Sequence, residues 1–137
     1  MPFRYPSTIQ FGDTDASGRI FYATLFRHID AAEHAFMRSL GLQAERPGQN
    51  DWGLPRVHAE ADFFAPLTYS DDVEIEVRVE RLGTTSYTLG FKVWNGTDIA
   101  ATAQIVIVTI SREAGRPMPI PPAFRDALAP LVGETVA

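Results

Sequence analysis

Apolar and polar positions along this chain follow two different periods. Between residues 22 and 40, Leu25, Ile29, Ala32, Phe36 and Leu40 recur every three or four positions, with Phe26 and Met37 flanking them. That spacing predicts one wide apolar stripe on an α-helix. Gly41 follows directly and is the residue type that most readily ends a helix. At 1.5 Å per residue the helix would be about 28 Å long, so its stripe needs a large surface to cover it. Further along, the period changes to two. Val73, Ile75, Val77 and Val79 alternate with Glu74, Glu76, Arg78 and Glu80. This is the pattern of an antiparallel strand with one face buried and one in water.

The remaining segments fill in around these two. Residues 5–11 read as a short strand, ended by a polar, glycine-containing loop over 12–18, and 43–54, rich in Pro, Gly and polar groups, reads as a loop. Residues 55–64 and 86–94 are further strands. Asn95-Gly96 is the favoured two-residue hairpin turn, and 98–111 is a long strand returning from it. Its centre, Ile105-Val106-Ile107-Val108, is apolar on both faces, one for the helix and the other for a second subunit. Residues 114–122 form a proline-rich connector before a short helix over 123–131. With no internal repeat or linker, residues 1–137 read as one domain. The expected class is α+β: one strand, a long helix, then four strands joined by hairpins, closing one antiparallel sheet around the helix.

Composition narrows what such a domain does. No apolar run approaches the roughly 20 residues of a membrane span, and the first residues lack the apolar core of a secretory signal, so a cytoplasmic location without membrane contact is expected. Cysteine is absent, which removes disulfides, thiol nucleophiles and thiolate metal sites. A net charge of −5 argues against nucleic-acid binding, which needs a basic surface. A phosphorylated ligand stays open, because all but one of the 12 basic residues are arginines, suited to phosphate.

Several common catalytic plans have no residues to carry them. The chain holds no Gly-x-Ser-x-Gly elbow, no Gly-rich phosphate loop and no dinucleotide fingerprint. Of the three histidines, His28 and His34 lie six positions apart, which does not suit two ligands on one helix face, and neither a metal nor a cofactor is expected. Those two read as helix-surface or interface residues, and His58 as a strand residue. The carboxylates Asp13 and Asp15 stand in the loop before the helix. There a carboxylate faces unpaired N–H groups and the positive end of the helix dipole. By position alone they are either loop and capping residues or a nucleophile or base beside an oxyanion site.

The segment Phe11-Gly12-Asp13-Thr14-Asp15-Ala16-Ser17-Gly18-Arg19-Ile20-Phe21-Tyr22 resembles the active-site segment of hot-dog-fold thioesterases of the 4-hydroxybenzoyl-CoA thioesterase type. The likeness continues through Phe26-Arg27-His28-Ile29-Asp30-Ala31-Ala32, Asp62-Phe63-Phe64-Ala65-Pro66 and Ser70-Asp71-Asp72-Val73, in the family's order, and covers most of the chain to about Ser111. The resemblance implies a hot-dog fold and hydrolysis of an acyl-CoA, with Asp15 as nucleophile or general base and Asp13 shaping the loop. It also implies that the Tyr22 N–H receives the thioester carbonyl. Gly18 would let the loop approach the substrate, Asp30 would lie near the far end of an aromatic acyl group, and the strand carrying His58 would run near the cleft, giving His58 a place among the substrate-binding residues. The family forms dimers, often paired into tetramers, with active sites at the dimer interface, so a homodimer or homotetramer is expected. Phe21, Phe26, Phe36 and Phe64 read as core.

Two departures qualify the likeness. The thioesterases linked to the Tol-Pal system have tyrosine where Phe11 stands and histidine where Tyr22 stands. The 4-hydroxybenzoyl type carries a basic cluster for the CoA phosphates where this chain has Gly83-Thr84-Thr85, leaving Arg81, Arg112 and Arg116 as substitutes. An acyl-carrier-protein thioester is therefore an alternative donor. The same fold would also serve a hot-dog hydratase or dehydratase, or a non-catalytic acyl-binding protein.

Overall fold

The computed structural model describes residues 2–43, 48 and 50–133. Among these described residues, seven strands and two α-helices follow in the order β1 (Phe3–Thr8), α1 (Leu25–Ser39), β2 (Trp52–Gly53), β3 (Arg56–Phe63), β4 (Asp72–Leu82), β5 (Ser86–Asn95), β6 (Asp98–Val108), β7 (Ile110–Ser111) and α2 (Pro122–Leu128). Five of the strands form one antiparallel sheet in the order β1-β4-β5-β6-β3.

The register explains the core. Val77, Phe91, Ala103 and Ala61 stand in one row across the sheet, and Val79, Leu89, Ile105 and Ala59 in another. On β4, β5 and β6 these side chains are buried, together with Leu25, Ile29, Ala32, Phe36 and Met37 of α1. The stripe read from the sequence is therefore the face that α1 packs on the sheet, each side chain removing apolar area from water. Phe3 of β1 closes the far end against Phe36, their rings 5.6 Å apart. This is the hot-dog arrangement that the resemblance implies.

The structure corrects several expected boundaries. The first strand stops at Thr8 instead of reaching Phe11. The Asp13 carboxylate accepts the Gln10 N–H and folds Phe11–Asp13 into a 3-10 turn. The long helix opens with a 3-10 turn over Tyr22–Thr24, and its α-helical part begins at Leu25. It ends as expected: Gly41 has φ 77°, its N–H donates to Arg38 O, and the Leu42 N–H reaches back to Met37 O, a Schellman motif. The loop expected over 43–54 contains β2, which pairs with β7; residues 44–47 and 49 of it lie outside the described residues. The terminal helix is α2 followed by a 3-10 turn over Ala129–Leu131, with Phe124 packed edge-on against Trp52.

The four later strands are not all joined by hairpins. β3 pairs with β6 at one edge, so residues 64–71 carry the chain across to β4, which lies beside β1 near the other edge. This crossing segment is stapled to the aspartate loop through Ile20 N to Leu67 O at 2.7 Å and a bridge between Arg19 and Thr68. The centre of β6 is buried on one face only: Ile105 and Ile107 face the helix, whereas Val106 and Val108 are half-buried. β3 is exposed along nearly its whole length, an unpaired edge of eight residues.

Candidate active site

The loop between β1 and α1 is a series of tight turns. Thr14 and Ile20 bridge across it, the Asp15 N–H donates to Arg19 O, and the Gly18 N–H donates to Asp15 O. Gly18 sits at φ 81°, which only glycine adopts without strain, although a side chain there would meet nothing. The Asp15 carboxylate is exposed and accepts from the Ser17 N–H at 2.8 Å and the Ser17 hydroxyl at 2.6 Å. These two bonds, with the charge of Arg19, hold it below the usual carboxylate range and therefore ionised near neutral pH.

Asp13 has the opposite environment. Only 4% exposed, its carboxylate accepts from Gln10 N at 2.7 Å, His28 Nε2 at 2.8 Å and Arg27 Nη2 at 3.1 Å. Burial raises its pKa, but the Gln10 bond, the bond and charge of His28 and the charge of Arg27 more than offset this, and the net shift is downward. Its carbonyl accepts from the Phe21 N–H at 2.8 Å, and the Thr24 hydroxyl lies 2.7 Å from both this carbonyl and Phe21 O, which share its one hydrogen. Asp13 thus ties the loop to the residue directly before Tyr22. Tyr22 opens the helical segment, where a backbone N–H has no acceptor within the helix.

His28 departs from the reading of it as a helix-surface residue. It is buried beneath the loop, with Nδ1 2.7 Å from Ser7 Oγ on β1 and Nε2 on Asp13. The signal was present in the sequence: position 28 lies within the stripe that Leu25, Ile29 and Ala32 define. Ser7, Ser17, Thr24 and Arg27 complete the network and had no local pattern to mark them. Phe21 also departs from its core reading. It is exposed and stacks edge-on against Tyr22, ring centroids 5.0 Å apart. Phe36 is buried and Phe26 half-buried as expected, but Phe64 is 65% exposed.

The other anticipated residues lie apart. Asp30 is exposed on α1, its carboxylate 3.2 Å from His34 Nδ1 and close enough to Arg56 to contribute to the raised pKa of that guanidinium. Glu33, one turn on, is buried and pairs with Arg56. His58 stands opposite Val106, on the sheet face away from α1, and bonds Glu60 at 2.8 Å. A bulge between Arg56 and His58 produces this: Arg56 pairs with Ile107 on the helix side, and one extra residue turns His58 to the other. Within one chain, then, Asp15 and the Tyr22 N–H share the loop, while Asp30 and His58 lie on separate surfaces.

A cavity of about 300 Å³ opens beside the loop, lined by Arg19, Ile20, Phe63, Phe64, Ala65, Pro66 and Leu67. The Gly83-Thr84-Thr85 turn has no basic residue of its own, but Arg125 of α2 donates to the carbonyls of Gly83 and Thr84, and Arg112 donates to Trp52 O. Among the described residues no helix is long and apolar enough to cross a membrane.

The chain is similar to known proteins over most of its length. Residues 9–128 match the family model of the thioesterase-like superfamily. A 1,4-dihydroxy-2-naphthoyl-CoA hydrolase of Synechococcus elongatus is 30% identical over 129 residues, 92% of this chain and 94% of that one. A solved gentisyl-coenzyme A thioesterase is 29% identical with a TM-score of 0.83, covering 92% of this chain and 99% of its own. The 1,4-dihydroxy-2-naphthoyl-CoA thioesterase of Synechocystis shares the fold, with a TM-score of 0.88 at 22% identity over 94% of this chain and 96% of that one. The chain therefore belongs to the thioesterase-like superfamily, a family of thioester hydrolases.

Proposed function

We propose that this protein hydrolyses an acyl-CoA to the free acid and CoA, with Asp15 as the reacting carboxylate. The observation that carries this is an exposed, ionised carboxylate in the loop that leads into a helix start, beside an open cavity. Asp15 either attacks the thioester carbon to give a mixed anhydride, which water then cleaves, or takes a proton from the attacking water. On both routes negative charge develops on the carbonyl oxygen. A backbone N–H at a helix start, that of Tyr22, suits this charge because the donor is fixed before the reaction begins. The CoA thiolate leaves as the carbonyl re-forms.

An aromatic acyl group is the favoured substrate. The cavity beside the loop presents Phe63 and Phe64, both exposed, as flat apolar walls. The related hydrolase and thioesterase named above act on dihydroxynaphthoyl-CoA and gentisyl-CoA. Asp30 would meet a polar ring substituent in this reading, and Gly18 keeps the loop open to the thioester. A hydratase reading is weaker, because His28 is engaged by Asp13 and Ser7 and does not form the acid–histidine pair at Asp15 that moving two protons uses.

The protein acts as a dimer in this account. An exposed eight-residue edge strand with Val57, Phe63 and Phe64 uncovered is a template for pairing with a second copy.

A hydrolysis screen with thiol release as readout tests the activity. Benzoyl- or phenylacetyl-CoA is expected to turn over faster than hexanoyl- to palmitoyl-CoA. A clear preference for linear chains overturns the aromatic assignment, and no release from any of them overturns the hydrolase reading.

A further inference from the structure

The aspartate loop is anchored from beneath by a chain of polar contacts with no direct part in attacking the thioester. Ser7 on β1, His28 on α1 and Asp13 in the loop are linked at 2.7 and 2.8 Å, so strand, helix and loop meet at one buried imidazole. The Asp13 carboxylate is ionised and can only accept, so His28 Nε2 carries the hydrogen that it receives. The other ring nitrogen faces the Ser7 hydroxyl, which fixes the ring plane from the sheet side. Buried polar groups linked in this way have one satisfied arrangement, and departures from it leave a buried donor or acceptor unpaired.

Asp13 then acts at two ends. Its backbone lies two positions before Asp15, and its carbonyl holds the Phe21 N–H and shares the Thr24 hydroxyl with Phe21 O at the start of the helix. The Asp13 oxygen that His28 holds is the one that accepts the Gln10 N–H and pins the Phe11–Asp13 turn, so loss of the His28 bond loosens that turn, and movement of its backbone carries the Asp13 carbonyl and the spacing between Asp15 and the Tyr22 N–H with it. Acyl transfer is sensitive to such spacing, since a misplacement of about 1 Å can cost on the order of a hundredfold in rate.

We infer that His28, held by Ser7, is a positioning residue that acts through Asp13 to fix the Asp15 carboxylate relative to the Tyr22 N–H. The inference rests on the assignment of Asp15 and Tyr22 above. It gives His28, both of whose ring nitrogens are engaged by protein partners, a task exercised through Asp13.

Two isosteric substitutions separate this from a purely structural role. In His28→Gln the side-chain amide reaches the position of Nε2 and keeps the bond to Asp13 while losing Ser7. In His28→Asn the amide reaches the position of Nδ1 and keeps Ser7 while losing Asp13. The first removes a bond to a neutral hydroxyl and the second a bond to an ionised carboxylate, so a purely structural role predicts a larger loss of stability in His28→Asn but the same kcat per folded molecule in both. The positioning role predicts a kcat loss of about tenfold or more in His28→Asn with KM nearly unchanged, and recovery to within about threefold in His28→Gln. Thr24→Val, which removes the clamp on the Asp13 carbonyl from the helix side, is expected to lower kcat in the same way. It replaces His28→Asn in the comparison if that variant fails to fold.

Equal kcat in the two arms, or a loss expressed only in KM, overturns the inference. Wild-type protein and Asp15→Asn are run alongside. Full activity of Asp15→Asn, or an inactive wild type, rejects the assignment of Asp15 and the role of His28 together. A dead Asp15→Asn beside an unaffected His28→Asn and Thr24→Val rejects only the role of His28.

Discussion

Asp13 and Asp15 stand two positions apart in one loop, and the protein treats them in opposite ways. Asp13 is buried, with three donors on its carboxylate from the loop, Arg27 and His28. Asp15 is exposed, and its carboxylate is held only by Ser17 of its own turn. A buried carboxylate held by three protein donors turns no open face to a substrate and contributes rigidity. One that keeps an open face is available for chemistry but contributes little to the fold. The lesson is a division of labour within a three-residue motif, with the scaffold on the inner side of the loop and the reagent on the outer side.

Removing the scaffold is expected to have the largest effect on stability. Asp13→Ala leaves the buried His28 Nε2–H and the Gln10 N–H without their acceptor, at a cost of about 3 kcal/mol, or roughly 150-fold in the folding equilibrium. Urea denaturation followed by circular dichroism would measure it. A loss below about 1 kcal/mol would mean that Asp13 is no more structural than Asp15.

Disrupting the proposed dimer comes next. Val57→Lys places a charge on the exposed β3 edge, where it opposes strand pairing. Sedimentation is expected to show the variant as single chains while the wild type sediments as a dimer or larger. Activity should fall with the change in mass if the site draws on both chains.

The pH dependence of stability sharpens the comparison further. The pKa of Asp13 is lower in the folded state than its ordinary value of 3.8, so its contribution to stability is present above that value and is lost as pH falls through the folded-state pKa. Asp13→Asn should therefore flatten the fall in melting midpoint below roughly pH 4, whereas Asp15→Asn should leave most of it, because the exposed carboxylate is screened by water. Thermal melts of the three proteins across the acid range would show this.

The smallest effect is expected at Ser17. Its hydroxyl is the main cause of the lowered pKa of Asp15, so Ser17→Ala should move the acid limb of the kcat/KM profile to higher pH, with turnover at neutral pH changed by no more than about threefold.

Much of the scaffold was legible in the chain because it depends on local period. The stripe on α1, the alternation of β4, the Asn95-Gly96 turn and the Gly41 stop each follow from spacing or backbone preference among near neighbours. Even there Glu76, read as a solvent-facing position, is buried, bonded by the indole of Trp94 and approached by Arg4 from β1. What escaped the reading depends on contacts distant in sequence. The pairing of Trp52–Gly53 with Ile110–Ser111 joins segments more than fifty positions apart, and the crossing from β3 to β4 follows from sheet order. Within the site, the Asp-x-Asp loop was visible and its depth was not. The burial of Asp13 requires His28 from the helix and Ser7 from the strand; position 28 lies in the apolar stripe, but nothing local marks Ser7 or joins either residue to Asp13.

The division of labour is tested most directly by measuring kcat for Asp15→Asn and Asp13→Asn side by side on the best acyl-CoA substrate, with melting midpoints recorded for both. The account predicts that Asp15→Asn loses at least about a hundredfold in turnover while melting like the wild type, and that Asp13→Asn loses less turnover and melts lower. Near-normal hydrolysis by Asp15→Asn would contradict it.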